Sequence, residues 1–209
     1  MKKKMDRLIS KIKLNKKLFI FLIIISLIAL ISGSLLVVLL DKTDKEIVTN
    51  YLTNFINDIS QNKIDYISTL KDSLISNAIL IIGIWLLGIS VIGIPIIIFL
   101  YFTQIFTFGF ALGTIILNYR FKGILLAFIY TFPNYLILFS TLLILVSYSI
   151  ILSLKLITTI IKRKQIDFKI ISNKYLLILL FSILSGLIFS LYEAFLLPNI
   201  IKLIIPILN

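Results

Sequence analysis

The 209-residue chain contains no cysteine and no histidine. Their absence removes disulfides, thiol nucleophiles, Cys/His zinc sites and imidazole general bases together. Acidic residues are scarce, nine against 21 Lys and Arg, and long stretches have no charge at all. Residues 18–40, 77–119, 123–154 and 175–192 hold no Asp, Glu, Lys or Arg. A soluble core cannot use apolar runs of that length. A bilayer can, because a helix needs about 20 apolar residues to cross its hydrocarbon core. At 60% hydrophobic residues the chain is too apolar for an ordinary globular domain, and the spans leave no room for a separate soluble catalytic one.

What is present divides by sign. Residues 1–17 carry eight basic residues against Asp6 alone, and 154–174 carry six against Asp167. The one sizeable hydrophilic loop, 41–75, carries six acids against four lysines. The basic residues flank apolar runs, so they read as topology determinants and contacts to anionic lipid rather than as a nucleic-acid surface. The run 18–40 is too long for the core of a cleaved signal and reads as a first span.

The run beginning at Ser76 is too long for one crossing. Pro95 lacks an amide donor and pushes Ile94 away from helical geometry, so a break near Gly93–Pro95 is expected. The spans then read 18–40, 76–94, 95–118, 123–153 and 175–197, within a single integral membrane domain 1–209. Five spans put 1–17 and 154–174 on one side and the acidic loop on the other. The positive-inside rule therefore favours an N-terminus inside and a C-terminus outside, with Arg120 and Lys122 outward as a small violation. The expected fold is all-α, a polytopic transmembrane helix bundle of about five spans. The run 123–153 exceeds one crossing, and Pro133-Asn134 suggests a kink.

Within the loop, Thr43-Asp44-Lys45-Glu46 has capping-box spacing. Val48, Leu52, Phe55, Ile56 and Ile59 then recur at helical spacing. An amphipathic helix over about 46–71 is expected, on the membrane surface or packed on the bundle. Pro198 is expected to end the last span.

Candidate site residues are few. Glu193 is an ionisable group within a span, a costly placement that usually faces protein or water. Ser182, Gly186 and Ser190 precede it at four-residue steps and draw one small, polar stripe. Such stripes let helices approach closely. Glu193, Ser190 and Gly186 thus read as partner or bundle contacts, against the plainer reading of a carboxylate reaching the headgroups. Asn77 and Asn134 are candidates of the same kind, for which ordinary backbone satisfaction at a helix break is the competing account. Gly109-x-x-x-Gly113 permits close helix contact. Gln104, near the middle of its span, can hydrogen-bond another helix. No nucleophile–base pair, nucleotide loop, metal motif or relay of buried carboxylates is visible, so no enzyme activity, metal or cofactor is expected.

Three stretches carry a family resemblance. Ser76-Asn77-Ala78 leads into Leu87-Gly88-Ile89-Ser90-Val91-Ile92-Gly93-Ile94-Pro95. Phe106 to Gly113 is followed by Thr131-Phe132-Pro133-Asn134. Leu191-Tyr192-Glu193-Ala194-Phe195-Leu196-Leu197-Pro198 is similar to a terminal Glu-Ala-Phe-x-x-Pro signature. In these the chain resembles the stage II sporulation protein M family of bacterial membrane proteins. That family often has a double Asn at Ser76-Asn77 and a His at Asn134. The resemblance implies a cell-membrane protein at the sporulation septum. It would anchor, without catalysis, a peptidoglycan-degrading complex during engulfment. The implied partners are membrane lipids and the wall hydrolases called stage II sporulation proteins P and D. The alternative class is a transporter or permease-type subunit, which a glycine-rich hairpin and one intramembrane acid permit. An intramembrane enzyme is the weakest class.

Overall fold

Hydrocarbon offers no water to peptide groups, so a chain this apolar must satisfy its backbone inside helices. The computed structural model describes residues 16–162 and 168–208, leaving aside the side chains at 125, 130–135, 162–171 and 205–208. Among the described residues there is no strand. The basic residues before Lys16 and those at 163–167, and the side chain of Asn134, lie outside the described residues.

Helix α1 runs Lys16–Leu39, α2 Lys42–Ser60 and α3 Tyr66–Gly88. Helix α4 covers Gly93–Lys162 but is broken at Arg120, where φ is 49° and ψ −125°. Helix α5, Phe168–Leu191, passes through a π turn, Tyr192–Leu196, into α6, Leu197–Leu208. Five stretches are long and apolar enough to cross a membrane: Lys16–Leu39, Tyr66–Gly88, Gly93–Ile124, Leu136–Ile161 and Ser172–Ile204. The five-span reading and the break before Pro95 therefore stand. Pro95 sits in the first turn of α4, where its missing N–H costs nothing.

Four expectations need correction. The second span starts at Tyr66, not at 76, because Asp65 caps the helix, its carboxylate accepting from the amides of Ile67 and Ser68 at 3.0 and 3.3 Å. Lys71 and Asp72 lie near the start of that helix, where long side chains can reach the headgroups. The amphipathic helix consequently ends at Ser60 instead of continuing to about 71. It begins after Asp41, so Thr43 lies inside it and forms no capping box. Finally, Pro198 does not end the last helix. The Leu197 amide bonds to the Tyr192 carbonyl, five residues back, and this wider turn lets the chain continue helically to Leu208. In the same way, helical geometry persists through Pro133.

The loop expected at Arg120–Lys122 is a reversal within α4. Gly123 lies against Ile115 and Ile116. A straight helix would hold residues eight apart about 12 Å away along its axis. The arms 93–119 and 121–162 thus fold back on each other. A Cβ on Gly123 would stand 2.6 Å from the Ile115 carbonyl oxygen, so only glycine fits there.

The first arm of α4 runs parallel to α1. Ser26 meets Tyr101 at one level, hydroxyl to hydroxyl at 2.7 Å, and Ser34 donates to the Gly109 carbonyl at 2.9 Å at the next. Between them Gly33 and Gly109 interlock. A Cβ on Gly33 would overlap the Phe106 carbonyl oxygen, and one on Gly109 would overlap that of Leu30. With Gly113 against Ser34, the Gly-x-x-x-Gly pattern is a helix-packing surface. The second arm and α5 run antiparallel, joined by Thr141–Ser185 at 2.5 Å and Ser149–Tyr175 at 2.8 Å. At that end Trp85 and Tyr175 clasp each other. Their rings stack at 5.3 Å, the Trp85 Nε1 donates to the Tyr175 carbonyl, and the Tyr175 hydroxyl donates to the Trp85 carbonyl.

The bundle therefore has two unlike ends. One gathers Lys16, Lys17, the turn at 89–92 and Lys155. The other gathers α2, Arg120, Asp65 and the π turn. Helix α2 lies across this second end, burying Ile56 and Ile59 against Leu197 and Ile201 of α6 and Leu126 of α4.

Replacing Gly109 with leucine must push α1 off α4, because the obstacle is backbone. We expect a loss of stability of about 3 kcal/mol or more, at or beyond the usual overpacking cost. Reversible unfolding in bicelles measures it; wild-type stability would show that the interlock is absent.

Candidate functional site

The most polar constellation inside the bundle forms where α3 meets the end of α5. Ser73 and Asn77 share one face of α3, four residues apart. Ser190 and Glu193 stand opposite, three residues apart. The Ser73 hydroxyl donates to Glu193 Oε2 at 2.5 Å and lies 3.0 Å from Ser190 Oγ. Asn77 Nδ2 donates to Ser190 Oγ at 3.0 Å and to Ser73 Oγ at 3.2 Å. Ser190 is fully buried and Asn77 nearly so.

Three residues singled out from sequence, Asn77, Ser190 and Glu193, are thus brought into one network. Gly186 lies one turn before Ser190, and its open side admits α3: a Cβ there would stand 2.9 Å from Ile81 Cδ1 and 3.9 Å from the Asn77 Cβ. The stripe of Ser182, Gly186 and Ser190 is buried throughout. Its members are not equal, however. The Ser182 hydroxyl is buried without a hydrogen-bond partner among the described residues, as are those of Tyr148 and Tyr192. Sequence reasoning missed Ser73. A serine three residues before Ser76 looked like one more loop residue, and only the earlier start of α3 places it in a span.

The π turn aims Glu193. A single wide turn inside a helix adds a residue and rotates the chain beyond it, and such turns concentrate at functional sites. Here it spans Tyr192–Leu196, the middle of the terminal signature, and sets Glu193 at the rim of a cleft of about 340 Å³. The cleft opens at the acidic end, between α2, the turn 61–65, α3 and the π turn. Phe55 and Asp58 contribute from α2, Asp65 and Asp72 from the start of α3, and Leu197 and Pro198 from α6. Four carboxylates, counting Glu193, face a single lysine, Lys63. The turn is held by Asn62, whose φ of 57° suits asparagine. Lys202 donates to the Asn62 side-chain oxygen, and Tyr66 stacks on Phe195 at 6.0 Å.

The described residues equip this site for binding. The described residues supply no cluster of three or more His, Cys, Asp or Glu placed to hold a metal ion. What the cleft presents is negative charge, apolar walls and a hydrogen-bonded floor.

Asn77→Ala removes one interhelical donation, to Ser190, and one within α3, to Ser73, and we expect it to destabilise the bundle by about 0.6–1.7 kcal/mol, the range for interhelical bonds in membranes. Ser182→Ala removes an unsatisfied hydroxyl and should be neutral or slightly stabilising. Paired unfolding measurements in bicelles check both; equal losses would mean that the two serine levels of the stripe do not differ.

The family model described as stage II sporulation protein M matches residues 18–198, from the start of the first apolar run to the proline after the π turn. No curated protein and no solved structure matches the chain. The matched region contains the three middle spans whole, most of the first and the last, the π turn and every residue of the polar network. With five apolar helices and a family match over most of its length, this multi-pass membrane protein belongs to the stage II sporulation protein M family.

Proposed function

We propose that this protein is a non-catalytic anchor that holds cell-wall hydrolases, of the stage II sporulation P and D type, at the sporulation septum during engulfment. The family assignment supplies the sporulation context. The observation that carries the anchoring role is the acidic cleft. The amphipathic helix and the terminal signature lie far apart in sequence, yet they wall one cavity at the end opposite Lys16, Lys17 and Lys155. An anchor needs this: a membrane-fixed body and a shaped, charged surface on the side where its partner works.

In this reading the lysine-rich end faces the cytoplasm by the positive-inside rule, and the cleft faces the wall. A basic segment of the hydrolase enters between Asp58, Asp72 and Glu193, with Phe55 and Leu197 against its apolar side chains. Holding an enzyme there raises its effective concentration at the septal wall without any change in its active site. The transporter alternative gains little from the structure. Glu193 is hydrogen-bonded at the mouth of the acidic cleft, about 32 Å along a span that begins at Ser172. That is the far edge of the hydrocarbon, not a midplane substrate site.

Two experiments test the proposal. The chain has no native cysteine, so Asn57→Cys and Thr159→Cys report topology cleanly. A membrane-impermeant maleimide should label the first and not the second in intact cells; the reverse pattern would invert the anchor. Asp58→Asn with Asp72→Asn should cut co-purification of the two hydrolases about tenfold while the protein stays in the membrane. Undiminished hydrolase with both charges gone would remove the cleft from the docking role.

A further inference from the structure

A second feature, an apolar groove bordered by one amide, lies outside this site. A groove of about 320 Å³ opens on the flank of the bundle, between α1 and the two arms of α4. Its walls are apolar, with Leu27, Leu30, Phe108, Leu136 and Phe139 among them, and Gln104 lies in that lining. Gln104 stands eleven residues into the span Gly93–Ile124. At about 1.5 Å per residue this is about 16 Å deep, close to the midplane of a core about 30 Å thick.

Among the described residues the carboxamide has no hydrogen-bond partner. The neighbouring hydroxyls of Thr103 and Thr107 donate to their own helix, to the Phe99 and Thr103 carbonyls at 2.9 Å. Lipid tails can neither donate nor accept, and water is absent at that depth. An amide left so costs free energy that a bond across an interface would recover.

We propose that this groove is the contact between two copies of the chain, closed at its centre by a Gln104–Gln104 hydrogen-bonded pair. Two considerations select a second copy over other occupants. A carboxamide carries donor and acceptor together, so it is its own complement. Two copies inserted in the same sense, related by a twofold axis along the membrane normal, place their glutamines at one depth without further adjustment. Beside Gln104 on the same helix, Phe99, Thr103 and Thr107 are exposed, Phe99 to 66%, and in this pairing they seat in the groove of the other copy. A lipid tail would fill the groove but leave the amide unbonded. A foreign helix would need a polar residue at the same depth.

The absence of cysteine makes the test direct. Thr103→Cys in the full chain should give a disulfide-linked dimer when membranes are oxidised. Leu184→Cys, exposed on α5 outside the groove, should not. Adding Gln104→Leu should raise the dimer dissociation constant by about three- to tenfold and reduce the cross-link accordingly. Equal cross-linking at the two cysteines, or no change with Gln104→Leu, would overturn the proposal. A second measurement does not depend on the variant at Gln104. Chains labelled at Asn57→Cys with donor and acceptor dyes are diluted in lipid vesicles. Energy transfer that persists on dilution supports the pair. Transfer that falls to the level of random collision means that the protein is monomeric and that lipid or a foreign helix fills the groove.

Discussion

Removal of water from polar groups governs this structure at every level. In the bilayer a peptide bond must find its partner within its own helix, and a polar side chain must find one on a neighbour. The first requirement fixes the secondary structure almost completely. The second accounts for most of the polar contacts between helices, although the hydroxyls of Ser182, Tyr148 and Tyr192 find no partner among the described residues. Serines of α1 meet Tyr101 and the Gly109 carbonyl. Serines of α4 meet Tyr175 and the Ser90 carbonyl. Asn77 and Ser73 meet Ser190 and Glu193. Between apolar helices, where lipid is as good a solvent as Leu, these contacts and the close backbone approach at Gly33 and Gly109 give the bundle its register.

The polar network near Glu193 joins the structural and functional arguments. A carboxylate in a span is retained only where it is paired or wet, and here it is both. One oxygen accepts from Ser73, and the residue borders the cleft. The π turn makes this possible by rotating the chain between Ser190, which faces α3, and Leu197, which faces α2. A short signature thus connects the packed interior to the acidic cleft.

Much of this was legible in the chain. Charge-free runs located the spans, Pro95 located the first hairpin, and the period of Val48, Leu52, Ile56 and Ile59 located the amphipathic helix. Glu193, Ser190, Gly186 and Asn77 were selected for their chemistry, and they converge. What escaped had specific causes. The start of α3 was hidden because Asp65, Lys71 and Asp72 made a helical turn look like loop. Ser73 was lost with it. Pro198 looked like a stop because a π turn leaves no mark in composition. The reversal at Arg120 was expected as a loop, since a backbone with φ of 49° at arginine has no sequence signature. The pairing of distant elements into a cleft depends on tertiary packing, which hydropathy cannot reveal.

That reversal bears on how the protein enters the membrane. Because α4 doubles back at one residue, its two arms form a helical hairpin that can partition into lipid as a unit. Between residue 77 and residue 154 the only formal charges are Arg120 and Lys122. The whole hairpin therefore carries two cations at its tip and no hydrophilic connector. The central third of the protein is in this sense a preassembled wedge. Its thermodynamic barrier to translocation resides in a tip one helical turn wide.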